Sequence, residues 1–190
     1  MMARPLEKET AMKKTVLLLL LALALLLAAC GAAEGGADDG AAGDNTDYNF
    51  ADDPVCGVEL GSSEEQARAV EPELTDYERA NWLACDKNIG GVWGKLLVSL
   101  EPGTVSAVQW NAVIEDGGGR ALYDDLLARL GDCYGKPASS REEQGVSSDS
   151  GLCDTAEAGW QAGDCRIGLY YVEYLEAGLA QVRYERVFER

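Results

Sequence analysis

The side chains of this chain that could take part in chemistry are carboxylates and cysteines, because its 190 residues include no histidine. Without histidine there is no Ser-His-Asp or Cys-His catalytic group and no histidine-ligated metal. Carboxylates occur in adjacent pairs, at positions 64 and 65, 124 and 125, and 142 and 143. Adjacent helical residues point in different directions, so Asp124 and Asp125 would not converge on one substrate. We therefore expect no catalysis, no metal site and no cofactor.

A different chemistry is indicated at Cys30 by the residues before it. Lys13 and Lys14 precede an apolar run from Thr15 to Ala29, which ends in small residues. This is the layout of a secretory signal peptide. The run is shorter than the roughly 20 residues that span a bilayer, and no basic residues follow it closely. The pattern predicts a cleaved signal over residues 1–29 rather than a membrane-spanning helix, with Met1 or Met12 as the start.

The residues Leu27-Ala28-Ala29-Cys30 resemble the lipobox of bacterial lipoproteins. The resemblance implies that diacylglycerol is attached to the Cys30 thiol and that the chain is cleaved between Ala29 and Cys30. Cys30 would then be the lipidated first residue. The implied location is the extracytoplasmic face of a bacterial membrane, with the membrane contacted through the lipid anchor.

The remainder divides into a tether and one domain. Residues 31–53 are rich in Gly, Ala and Asp and have almost no large apolar side chains, so with Cys30 they are expected to form a flexible tether over 30–53. Residues 54–190 are long enough for a single globular domain. Because residues 1–29 carry four basic and two acidic side chains, their removal changes the net charge from −17 to −19. So acidic a chain is not expected to bind nucleic acid.

The five cysteines after Cys30 have no Cys-x-x-Cys spacing, so neither a zinc site nor a redox motif is expected. Disulfides persist in an exported protein. Cys153 and Cys165 flank a short segment and form one candidate pair, and Cys56 and Cys85 form another; the connectivity stays open. Cys133 falls on the apolar side of a predicted helix, where a buried free thiol is expected.

Hydrophobic periodicity predicts an α+β domain with an antiparallel sheet of about six strands and two helices on one face. Helices are expected at about 63–70 and 120–134, and a polar surface loop at 138–150. The first helix would start with a capping box of Ser62 and Glu65. Strands are expected near 81–87, 92–100, 105–114, 158–162, 166–174 and 179–188.

The two halves of the domain carry similar short motifs. Trp82-x-Ala-x-Asp86 matches Trp160-x-Ala-x-Asp164, and residues 100–103 and 108–110 match 175–178 and 182–184. The matches indicate a tandem α-βββ repeat, although such motifs also recur by chance in antiparallel sheets. Over residues 56–188 the layout resembles the β-lactamase-inhibitor-protein-like fold, which also occurs in small envelope lipoproteins. The helix end Tyr134-Gly135-Lys136-Pro137 resembles a pattern of bacterial surface lipoproteins. Neither resemblance assigns a functional residue.

Aromatic residues on an open sheet face would suit a protein or glycan partner, and Trp160, Tyr170 and Tyr174 are the candidates. We therefore expect a non-catalytic binding domain on a membrane anchor. One alternative is a cell-wall glycan hydrolase that uses carboxylates alone, which requires two carboxyl groups roughly 5–10 Å apart in a cleft. The other alternative is a purely structural envelope component.

Overall fold

The structure is a computed structural model and describes residues 50–115 and 117–189. A 3-10 helix, Phe50–Asp52, precedes the two α-helices, which are α1, Glu64–Val70, and α2, Gly119–Tyr134. The strands are β1, Thr75–Asp76; β2, Trp82–Ile89; β3, Val92–Leu100; β4, Val105–Ile114; β5, Ser139–Ser148; β6, Gly151–Ala162; β7, Cys165–Tyr174; and β8, Leu179–Phe188. Ala29 and Cys30, with the predicted signal peptide and the tether up to residue 49, lie outside the described residues.

The eight strands form one antiparallel sheet in the order β1-β2-β3-β4-β8-β7-β6-β5. The predicted α+β class is confirmed, but the sheet has eight strands rather than about six. The additional strands are the two-residue β1 and the edge strand β5, which occupies the segment predicted to be a loop. No apolar alternation marks β5, because most of its side chains are exposed and only its backbone joins the sheet.

Both predicted helices are present, with one shift in a cap. The capping box of α1 is formed by Ser63 and Gln66 rather than by Ser62 and Glu65. The Gln66 amide N donates to Ser63 Oγ over 3.2 Å, and the Ser63 amide N donates to Gln66 Oε1 over 2.8 Å. The longer helix, α2, ends at Gly135, whose φ of 79° is the positive value that a C-terminal glycine cap requires.

The two faces of the sheet differ in burial. Leu122, Leu126 and Leu130 of α2 are buried, and α2 packs against β6, β7 and β8. On β2, Lys87 points to the same face and pairs with Glu71, the C-cap residue of α1. We call the side of the sheet that packs against α2 the covered face. The opposite surface of β2–β8, which carries the alternate residues, is the open face.

The strand order places two four-stranded halves on either side of the β4–β8 contact. Trp110 of β4 is directly opposite Tyr184 of β8, and the two are also matched in the sequence repeat. In the first half, Leu96 pairs with Trp110 and Cys85 pairs with Leu96. In the second half, Leu169 pairs with Tyr184 and Ala158 pairs with Leu169, so Leu96 corresponds to Leu169 and Cys85 to Ala158. The halves therefore share strand order and register.

The same register shows that one of the three sequence matches is wrong. Trp160 pairs with Ile167 in the second half, and the position equivalent to Trp160 in the first half is Lys87, which pairs with Gly94. Trp82 instead corresponds to Thr155 and lies on the other face of the sheet. The shared Trp-x-Ala-x-Asp letters are thus not structurally equivalent.

Candidate functional site

The open face is a partly solvent-exposed surface made by alternate residues of seven strands. Polar and charged side chains predominate near its middle, where β4, β8 and β7 lie side by side. Among its members are Asp86, Trp93, Lys95, Gln109, Asn111, Arg166, Tyr170, Gln181, Arg183 and Glu185. Because backbone pairing along these strands is continuous, the side chains are held on a firm support.

The centre of the open face is a cluster around Glu185, which is buried although it is charged. Its carboxylate accepts a hydrogen bond from the Tyr170 hydroxyl over 2.9 Å. Arg166 and Arg183 contact the same carboxylate at 3.3 Å and 3.4 Å. The Arg183 guanidinium also lies 4.4 Å from the centroid of the Tyr170 ring. Two guanidinium groups around one carboxylate leave a local positive charge on an otherwise acidic protein.

The phenol of Tyr170 stays neutral in this cluster. Burial raises the pKa of Tyr170, and the charge of Glu185 and the hydrogen bond to it raise the pKa further. The hydroxyl is therefore a hydrogen-bond donor, and the exposed part of the ring offers an apolar surface beside charged groups. Such a combination is common in protein interfaces.

Of the three predicted binding aromatics, the structure presents only Tyr170 on the open face. Trp160 lies on the covered face with 2% of its surface exposed, and its Nε1 donates to the Gly135 carbonyl over 2.9 Å. Tyr174 points to the open side but is 6% exposed. The prediction is wrong for Trp160 because its place in β6 puts it against the end of α2, and wrong for Tyr174 because its side chain is buried.

Trp93, which was not among the predicted binding aromatics, is 67% exposed. It lies on β3 on the same face as Lys95, whereas Leu96 and Val98 point inward. Alternation along β3 is the signal that could have identified it. Trp93 stands beside a cavity of about 510 Å³ at the β1 edge of the sheet, which we call the edge cavity.

The predicted disulfides are not formed, and all five cysteines of the described part are free thiols. Cys153 pairs with Tyr174, whereas Cys165 pairs with Ala162 at the other end of the same hairpin. The separation of nine ladder positions corresponds to about 30 Å, far beyond disulfide reach. The pairing of Cys153 with Cys165 is therefore wrong.

The other three thiols bear on the remaining cysteine predictions. Cys56 and Cys85 are separate buried thiols in one apolar cluster. Burial raises the pKa of Cys56 to about 12. Cys133 was expected to be buried but is exposed, and its Sγ donates to the Asp52 carbonyl over 3.2 Å. That correction arises because Cys133 lies at the border of the apolar stripe of α2.

The adjacent carboxylates found in the sequence form ordinary surface ion pairs. Arg120 contacts Asp124 and Glu142 at 2.9 Å and 2.8 Å, and Asp125 contacts Arg129 at 3.4 Å. Within residues 50–115 and 117–189 no group of three or more Cys, Asp or Glu side chains is arranged to hold a metal ion. The two carboxylates of the 124–125 pair thus bind different arginines and do not face each other.

A buried cluster of polar side chains, which we call the polar hub, lies between the covered face and the segment by which the chain enters the domain. Asp53 Oδ1 accepts from the amide N of Val55 at 2.8 Å and of Cys56 at 3.0 Å. Its Oδ2 accepts from the hydroxyls of Tyr134 and Tyr184, both at 2.6 Å. Asp53 and Tyr184 thereby connect the entry segment to α2 and β8.

The hub also contains Arg186, whose side chain is fully buried. Arg186 Nη1 lies 3.2 Å from Asp53 Oδ2, and Nη2 donates to the carbonyls of Cys56 and Val58. Its guanidinium carbon is 4.3 Å from the centroid of the Phe50 ring. Phe50–Asp53 thus belong to the fold, so the domain begins earlier than the predicted start at residue 54.

In the described part of the chain, no helix has the length and apolar character needed to cross a bilayer. No family model, no curated protein and no solved structure matches this chain.

Proposed function

We propose that the protein is a lipoprotein of the extracytoplasmic face of a bacterial membrane, anchored through Cys30, whose domain binds a partner on the open face without catalysis. The observation that carries the binding role is the Glu185 cluster. A charged, hydrogen-bonded group of side chains stands on the face of the sheet opposite α2. The lipobox resemblance supports the anchor and the location.

The chemistry of the open face favours a protein partner. Tyr170, Arg166 and Arg183 belong to the residue types enriched in interfaces, and Gln109 and Asn111 add neutral donors and acceptors beside them. A glycan of the envelope is the second partner that the aromatic residues would accommodate.

The attachment of the segment around Asp53 also supports an anchored binding domain. Because Asp53 fixes the segment after the tether to both α2 and β8, a pull on the anchor would be transmitted to the middle of the fold. A domain held in this way would keep its open face available while the tether allows it to reorient.

One observation favours the hydrolase alternative: the edge cavity is lined by Glu73, Asp76 and Asp86. However, Asp76 is paired with Arg68 at 2.6 Å and Asp86 with Lys95 at 2.5 Å. A glycosidase needs two carboxyl groups that act on the glycosidic bond, and in this cavity both aspartates are already bound to basic side chains. We therefore prefer the non-catalytic function. The structural-component alternative predicts no specific partner.

We further infer that the domain arose by duplication of a helix-plus-strands unit. The pairing of Trp110 with Tyr184 across the middle of the sheet and the shared register of the two halves support this inference. The second unit would then have replaced the apolar Val98 position with Tyr171 and kept the turn that joins its last two strands.

Two measurements test the proposal. Metabolic labelling with a clickable palmitate should label the wild-type chain in the membrane fraction, and Cys30→Ala should remove the label. A photo-crosslinking amino acid at Gln109 on the open face should then give a discrete adduct in intact envelopes. The same probe at Ala128, on the exposed side of α2, is the matched control.

The adduct at Gln109 should disappear when Tyr170→Ala or Arg183→Ala is added. Equal adducts at Gln109 and Ala128, or no adduct at Gln109, would overturn the open-face proposal. An unlabelled wild-type chain in the soluble fraction would overturn the anchor.

A further inference from the structure

The edge cavity, of about 510 Å³, lies where the sheet loses its outermost strand. The short strand β1 pairs with β2 only through Thr75 with Ala84 and Asp76 with Leu83. Beyond Ala84, β2 has no neighbour on that side among the described residues, so a recess is left between the β1 segment and the open face of β2 and β3.

The side chains around this recess include two exposed aromatic rings. Trp93 is 67% exposed and Tyr77 is 37% exposed, and both line the cavity. Ligand pockets are concave and combine aromatic side chains with a few polar groups, as this recess does. An indole face is also the side-chain surface that best attracts a cation.

The charges of the lining are mainly negative. Asp76 and Asp86 already have basic partners in Arg68 and Lys95, respectively, and no ion pair to Glu73 is formed within residues 50–115 and 117–189. A second cation entering the cavity would meet the Glu73 carboxylate and could share Asp86 with Lys95. The net charge of the chain, −17, would also attract it from a distance.

The fold itself does not require this chemistry. In the second half, the register positions of Trp93, Asp86 and Lys95 are occupied by Arg166, Gly159 and Gly168. The two ladders share this register, but β5 pairs with β6 at Gly159, and a Cβ there would lie 2.8 Å from Ser139 Oγ. The unpaired edge of β2 instead leaves room for the Asp86 and Trp93 side chains, so the recess, the aromatic ring and the carboxylate occur only in the first half.

We propose that the edge cavity binds a basic side chain, a lysine ammonium or an arginine guanidinium, carried by a peptide segment of the protein partner. Trp93 provides the ring face, and Glu73 and Asp86 provide the carboxylates. This inference rests on the proposed binding function and specifies the chemistry of the partner. A neutral glycan could stack on Trp93, but it would gain nothing from the surplus negative charge.

The test uses the full protein, purified in detergent, and follows the indole N–H signals of its four tryptophans by NMR. The probe is a capped peptide, Gly-Lys-Gly-Lys-Gly, compared with the same peptide acetylated on both lysines and with chitotetraose. The lysine peptide should shift the Trp93 signal and leave those of the buried Trp110 and Trp160 in place. Binding should weaken as salt is raised.

Variants then locate the site. Trp93→Ala should weaken binding of the lysine peptide about tenfold and Glu73→Gln about threefold, as expected for a cation–π contact and a partly exposed charge pair. Trp93→Phe should retain most of the affinity. Phe188→Ala and Glu101→Gln remove an exposed ring and an exposed carboxylate elsewhere and should change nothing. Unchanged urea midpoints would show that each variant is folded.

Three results would overturn the inference: equal binding of the acetylated peptide, a shift of Trp93 by chitotetraose alone, or peptide binding unaffected by Trp93→Ala. If the cavity fails while the crosslink at Gln109 persists, the open-face function stands and only the cavity assignment is wrong. If the crosslink fails while the lysine peptide binds at Trp93, the role proposed for the Glu185 cluster is wrong and the edge cavity alone is the binding site.

Discussion

Replacing Asp53 with alanine should lower the free energy of unfolding by about 4–5 kcal/mol, because it removes one partner of a fully buried ion pair. The carboxylate accepts from two backbone amides, two tyrosine hydroxyls and Arg186. A typical domain is stable by only about 5–15 kcal/mol. The loss of this one side chain should therefore bring the protein close to unfolding.

The size of the effect follows from what is left behind. In Asp53→Ala the Arg186 guanidinium stays buried without its counter-charge, which costs about 3–5 kcal/mol by itself. The hydroxyls of Tyr134 and Tyr184 lose their acceptor, and each buried unsatisfied group adds about 1 kcal/mol unless water enters. Partial relaxation of the entry segment offsets some of this cost.

The reverse substitution should cost less. In Arg186→Met the Asp53 carboxylate keeps four donors, at distances from 2.6 to 3.0 Å, so its charge stays well solvated by the protein. The carbonyls of Cys56 and Val58 lose a donor. We expect a loss of about 2–3 kcal/mol, because each carbonyl contributes about 1 kcal/mol. The two halves of one ion pair should thus differ in cost.

Urea titration of the detergent-purified protein, followed by tryptophan fluorescence, measures both changes. Asp125→Ala breaks the exposed pair with Arg129 and serves as the control, with an expected loss below about 1 kcal/mol. The reasoning is refuted if Asp53→Ala costs no more than the control, or if Arg186→Met is clearly the more damaging of the two.

Three further predictions concern packing, pH and thiols. Gly94→Ala should lower the free energy of unfolding by about 1–3 kcal/mol, because a Cβ there would lie 2.5 Å from the Trp110 ring and 2.6 Å from the Asn111 carbonyl oxygen. The control is Gly131→Ala in α2, where a Cβ meets no atom within 4 Å and the change should be neutral or stabilising. Urea midpoints of the two variants measure the difference. Stability should fall above about pH 9, because burial raises the pKa of Cys56 from 9.0 to about 12 and that of Tyr123 from 10.0 to about 12. The unfolded chain then releases protons that the folded chain retains, so each group lowers the free energy of unfolding by about 1.4 kcal/mol per pH unit in that window; a urea midpoint that is constant up to about pH 11 would contradict this. With Cys30 acylated, a thiol reagent should modify Cys133 alone in the native protein and all five remaining cysteines in denaturant, whereas three in denaturant would reveal one disulfide.

Alternation and helical spacing were sufficient to predict the fold class and most elements. Strands such as β4 and β8 bury every second residue, and α2 has one apolar stripe, so each reveals its own type. The strands β1 and β5 lack such a pattern. Both lie at an edge, where backbone pairing with a neighbour forms the strand and the side chains stay in water, so no local signal marks them.

The site was only partly predictable, for a related reason. The alternation of apolar and polar residues along a strand shows which residues share a face of the sheet, but it does not show which face the helices cover. Trp160 and Tyr170 therefore seemed equivalent in the sequence, although α2 buries one and leaves the other accessible. Asp53 could not be predicted as a hub, because its partners Tyr134 and Arg186 are 81 and 133 residues away along the chain.

The comparison of the two halves separates what the fold requires from what it permits. On the covered face, Leu96 and Leu169 keep the same side chain at equivalent positions, whereas Lys87 corresponds to Trp160 and Val98 to Tyr171. On the open face, Trp93 corresponds to Arg166 and Asp86 to Gly159, so the equivalent positions differ in size and charge. At Gly159 the neighbouring strand β5 sets the difference, because a Cβ there would lie 2.8 Å from Ser139 Oγ. The open face thus carries two kinds of chemistry, an aromatic, acidic recess at the β1 edge and a guanidinium-rich cluster at its centre. A single partner that contacts both would need a basic group and an acidic group in fixed positions, and that requirement makes a folded protein a better candidate than a uniform glycan chain.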